Sequence, residues 1–159
     1  MTDFFKKTDL SRNDAEKIIS ETLNNCDDGE LYLEDSKSES IVLDDNKIKS
    51  SSYSSDLGYG LRAVTGEVVA YSHSNEISKN SLKQSADNLS STLKSKKGVY
   101  NHEIPKTNRQ FYKNINPIEE KSLQSKLELL KEVNNYTRAK SGIVQQVTAS
   151  FSGEHKSIE

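Results

Sequence analysis

The segment from Leu57 to Tyr71 constrains the fold of this 159-residue chain more than any other. Leu57, Tyr59, Leu61 and Ala63 alternate with Gly58, Gly60 and Arg62. On the return, Val69 and Tyr71 alternate with Val68 and Ala70. A period of two places every second side chain on one face, as in a strand with one buried side. Thr65-Gly66-Glu67 lies between the two halves and is a turn signal. The segment is therefore predicted to be a β-hairpin with one buried face.

Further strands are predicted before the hairpin, between residues 30 and 56. Leu31-Tyr32-Leu33, Ile41-Val42-Leu43 and Ile48 are short apolar runs, and Asp44-Asp45-Asn46 is a turn signal. The serine-rich run from Ser50 to Ser55 has two interpretations, a linker or an exposed strand. The spacing of Ile48 and Tyr53 favours the strand.

Two amphipathic helices flank these strands. Ser11 is the predicted N-cap of the first helix, with Asp14 at the capping-box position and Cys26 as a small core residue near its end. Ser78 is the predicted N-cap of the second. Its apolar stripe is Leu82, Ala86, Leu89 and Leu93, followed by Lys94, Lys96, Lys97 and a stop at Gly98.

A third helix is predicted from Asn116, with Pro117 at its first position, after a long connection over residues 99–116. Its expected buried face is Leu123, Leu127, Leu130 and Val133, and Gly142 is its expected stop. A strand over Val147–Phe151, a turn at Ser152-Gly153 and the start of a return strand follow. We therefore expect an α+β fold, in which about three helices pack on one face of a mostly antiparallel sheet. Because the last strand would be poorly covered, the chain is expected to be the front part of something longer.

Composition excludes several classes of protein. No apolar run approaches the roughly 18 residues of a membrane span. The net charge of −2 argues against a protein that coats nucleic acid by charge. The single cysteine cannot form an intrachain disulfide, and the N-terminus lacks the apolar core of a signal peptide. These features together favour a cytoplasmic location, with neither a nucleic acid nor a membrane as partner.

No catalytic residue and no metal ligand is predicted within the chain. Gly58-Tyr59-Gly60-Leu61-Arg62-Ala63 fits the dinucleotide fingerprint, but the β alternation continues where that motif requires a helix. The two glycines are instead expected where another element packs closely on a strand. His73, His102 and His155 have no second histidine at helical spacing, so each is interpreted as a surface or turn residue.

The chain resembles the N-terminal domain of the TldD/PmbA metallopeptidase family over residues 11–159, with residues 1–10 as an extension. The resemblance depends on the run from Gly58 to Glu67, on Glu76-Ile77-Ser78 with its helix, and on Val147-Thr148-Ala149-Ser150-Phe151-Ser152-Gly153. The Gly66-Glu67 turn and the last run favour the TldD branch. The motif positions taken as structural are Gly58, Gly60, Arg62, Gly66, Ser78 and Gly153.

The resemblance implies a cytoplasmic zinc peptidase that works as a heterodimer with a TldE (PmbA) subunit and cuts unfolded or extended peptides. The family's zinc site is an H-E-x-x-x-H helix with a late cysteine, and this sequence contains no such motif. The chain is therefore expected to hold no cofactor and to be inactive alone. Two functions stay open: the N-terminal domain or a truncated form of a TldD-type subunit, or a stand-alone interaction module that kept the fold.

Overall fold

A computed structural model describes residues 4–6, 8–93 and 115–159 of the chain. It confirms the α+β class, with four helices and a four-stranded sheet of order β3-β2-β1-β4 among these residues. The helices are α1 (Arg12–Leu23), α2 (Lys79–Leu93), α3 (Pro117–Glu120) and α4 (Leu123–Lys140). The strands are β1 (Asp28–Asp44), β2 (Lys47–Thr65), β3 (Val68–Ser74) and β4 (Thr148–Ile158).

The described residues divide into two compact units. The first contains residues up to 35, residues 56–93 and residues 157–159, and the second contains residues 36–55 and 115–156. Both β1 and β2 contribute to each unit, since the two strands are 17 and 19 residues long. The apolar runs around Tyr32 and Val42 therefore belong to one strand, and the serine run lies within β2, as its exposed-strand interpretation predicted.

The predicted hairpin is confirmed. β2 and β3 pair antiparallel from Tyr59 opposite Ser74 to Thr65 opposite Val68, and Gly66 in the turn has a φ of 59°. Only glycine adopts that left-handed conformation without a steric penalty. The buried face carries Tyr59, Leu61, Ala63 and Ala70. The alternation was wrong for Leu57, Val69 and Tyr71, which are exposed. On β3 the reason is the register, which puts Ala70 opposite the buried Ala63.

The first unit has the core that the helix patterns predicted. The Ser11 hydroxyl accepts a hydrogen bond from the Asp14 N–H (3.1 Å), and that of Ser78 accepts one from the Ser81 N–H (3.1 Å). Both N-caps are thus confirmed. The stripe of α2 is buried throughout, and Cys26 lies in the same core at 3% exposure. The predicted helix end at Lys94, Lys96, Lys97 and Gly98 lies outside the described residues, as does most of the predicted connection.

The prediction of one third helix is wrong, because two helices, α3 and α4, occupy this segment. Asn116 caps α3 as expected, but Lys121 has extended backbone (φ −118°, ψ 137°) and Ser122 then caps α4 through the Ser125 N–H. The predicted buried face of the helix is only partly correct. Leu130 is buried and Leu127 packs against the core, whereas Leu123 and Val133 are 53% and 44% exposed.

The predicted turn at Ser152-Gly153 is also wrong, because β4 continues through it to Ile158. Leu33 and Glu159 exchange two backbone hydrogen bonds (2.9 and 3.0 Å), and the Asp45 N–H donates to the Val147 carbonyl (3.0 Å). In an antiparallel pair of strands without a bulge, the numbers of any two opposite residues add up to the same value. This is true of Leu33 with Glu159 and of Asp45 with Val147, so the register of β1 and β4 is the same at both ends. Pairing with β1 therefore keeps Gly153 within a strand.

Replacing Gly58 by alanine is expected to lower the free energy of unfolding by about 1–3 kcal/mol. A Cβ at this position would lie 2.7 Å from the backbone oxygen of Ser74, which strand pairing holds in place. At Gly60 the neighbour is the hydroxyl of the exposed Tyr71, which can move away, so Gly60→Ala should cost less. Gly142→Ala is the control, because nothing lies within 4 Å of that Cβ. Equal midpoints in urea unfolding for Gly58→Ala and Gly142→Ala would contradict this account.

Candidate functional site

An open groove in the second unit, between α4 and β4, is the candidate site of the described chain. Its volume is about 470 Å³. One wall is the solvent-facing side of α4, where Leu129 and Val133 are 49% and 44% exposed. We call it the α4–β4 groove. Its lining contains no charged side chain and consists of Leu129, Leu130, Val133, Thr137 and the residues from Gln146 to Phe151.

The turn between β1 and β2 fixes one end of the groove. The Asp44 carboxylate accepts hydrogen bonds from Gln146 Nε2 (2.9 Å) and Thr148 Oγ1 (3.0 Å), and these donors lower the pKa of Asp44. Asp45 accepts from the Val147 N–H (3.0 Å) and pairs with the guanidinium of Arg138. The start of β4 and the end of α4 are thereby attached to one turn.

A buried ion pair lies near Phe151 of the groove lining. Lys126 Nζ is 2.5 Å from Glu39 Oε1 and donates to the Ile118 carbonyl (2.6 Å). The side chains of Lys126 and Glu39 are only 5% and 10% exposed. The ammonium group also lies 5.7 Å from the ring centre of Phe151. A lysine in the buried stripe of α4 was not anticipated from the sequence. The only signal was its spacing, four residues before Leu130.

In the first unit, Arg62 lies between two carboxylates of β1. Its guanidinium contacts Glu30 Oε1 (2.8 Å) and Asp28 Oδ2 (2.7 Å), and these hydrogen bonds raise the pKa of Arg62. The Gly66 N–H donates to Asp27 Oδ2 (2.6 Å). Arg62 and Gly66 thus anchor the hairpin to the start of β1.

The remaining motif positions do not assemble into one site. Gly58, Gly60 and Ser78 lie in the first unit, at close packing contacts and at the N-cap of α2. Gly153 lies in β4 of the second unit, where a Cβ would be 3.5 Å from Ile118. The dinucleotide fingerprint lies wholly within β2, so no helix N-terminus follows it.

The described residues contain no group of three or more His, Cys, Asp or Glu side chains placed to hold a metal ion. His73 is on β3 and stacks on Tyr71, His155 is on β4, and His102 lies outside the described residues. Cys26 is buried, and its sulfur lies 3.7 Å from the Thr22 carbonyl. A catalytic zinc ion, which needs three protein ligands, therefore does not fit the described part of the chain.

Of the helices that the structure describes, none combines the length and the apolar character needed to cross a lipid bilayer.

Comparison with known proteins identifies the family. A TldD metalloprotease homologue from Buchnera aphidicola subsp. Acyrthosiphon pisum is 35% identical over 133 residues, covering 83% of this chain and 28% of that protein. The TldD homologue from Haemophilus influenzae is 34% identical over 140 residues, covering 84% and 28%. The chain thus spans little more than a quarter of the length of these relatives.

Comparison with solved structures confirms the fold. The crystal structure of TldE from Thermococcus kodakarensis superposes with a TM-score of 0.57 at 14% identity, over 90% of this chain and 33% of that one.

Residues 29–93 also match the family model described as PmbA/TldA metallopeptidase domain 1. The chain therefore belongs to the PmbA/TldD metallopeptidase family, and residues 29–93 correspond to the first domain of that family.

Proposed function

We propose that this chain serves as the non-catalytic N-terminal domain of a TldD-type zinc metallopeptidase subunit, which acts in proteolysis of unfolded or extended peptides. The observation that carries the proposal is the match to TldD homologues, which extends over 83% of this chain at 35% identity. The match covers only 28% of the relative, so most of that protein has no counterpart here. In this proposal the chain helps to shape substrate access and the contact between subunits.

Zinc would be supplied by a region other than this one. The sequence has no H-E-x-x-x-H motif, since His102 is followed by Glu103 but by no histidine within the next six residues. We assign no metal ligand and no catalytic residue to this chain. The partner in this proposal is a TldE-type subunit, and the location is the cytoplasm.

The second candidate function is a stand-alone interaction module that kept the fold without the peptidase. The α4–β4 groove supports it, because an apolar surface with an uncharged lining is typical of a contact site. Reading the DNA beyond the codon for Glu159 distinguishes the two. An in-frame H-E-x-x-x-H helix favours the peptidase subunit, and a stop codon without one favours the module.

The chain alone is expected to cleave no peptide and to bind no zinc in stoichiometric amount. Catalytic zinc needs three ligands and an open position for water, and the described residues do not provide that set. The measurements are metal analysis of the purified chain and digestion of an unfolded peptide, with and without a complete TldE-type subunit. Stoichiometric zinc together with chelator-sensitive cleavage by the chain alone would refute the proposal.

A further inference from the structure

We draw no further inference here: the strongest candidate, the open apolar α4–β4 groove of the second unit, belongs to the candidate site already described, and nothing in the structure shows what covers it.

Discussion

Replacing Lys126 by methionine is expected to lower the free energy of unfolding by about 3–5 kcal/mol. The substitution keeps most of the side-chain volume but removes the ammonium group that pairs with Glu39 and donates to the Ile118 carbonyl. Glu39 would then be a carboxylate at 10% side-chain exposure without its ion-pair partner. Leaving one charge of a buried pair alone costs far more than breaking a surface pair. Urea unfolding followed by circular dichroism measures the loss.

A double-mutant cycle separates the ion pair from simple packing. Lys126→Met combined with Glu39→Leu removes both charges and should recover most of the lost stability. Lys131→Met, on the exposed side of the same helix, should change the free energy by no more than about 0.5 kcal/mol. If Lys126→Met were as mild as Lys131→Met, the buried pair would not exist in solution.

Truncating Leu130 to alanine is expected to cost about 2–5 kcal/mol, whereas Leu123→Ala should stay within about 0.5 kcal/mol. Leu130 is 3% exposed and packs with Ile41, Leu43 and Ala149, so its loss leaves a cavity in the second core. Leu123 is 53% exposed at the first position of α4. The two residues are equivalent in the sequence pattern, so the pair tests the break at Lys121 directly.

The same unfolding measurement compares the two leucine variants. Equal losses would mean that Leu123 is buried as well, as in the single helix that the sequence predicts. A large loss for Leu123→Ala with a small one for Leu130→Ala would mean that the core contacts the first turn of α4 and not the turn that carries Leu130. Either result would contradict the packing described here.

Local chemistry made several elements predictable from the sequence. The hairpin follows from strict alternation and from a glycine at the turn position that needs a positive φ. The starts of α1 and α2 follow from Ser11 and Ser78, because an N-cap bonds to an N–H only three residues away. The stripe of α2 was predictable because its four apolar residues all face one core. The resemblance to the TldD/PmbA family was likewise available, since it is carried by short runs of sequence.

The candidate site was not predictable, because its residues meet only through strand pairing and helix packing. The same holds for the ion pair near the groove, because Lys126 and Glu39 are separated by 87 positions and a lysine or glutamate alone indicates an exposed surface.

The sequence by itself determined the hairpin, the helix starts and the family, because each is encoded by neighbouring residues. Only the tertiary structure decided where β4 continues, whereas α3 ends for a local reason that the prediction of one helix left out. At Lys121, two N-caps within seven residues, Asn116 and Ser122, both find their N–H partners, so the chain breaks instead of forming one helix. At Gly153, the pairing of β4 with β1 outweighs a local turn preference, because each ladder hydrogen bond satisfies a backbone group that would otherwise be unpaired.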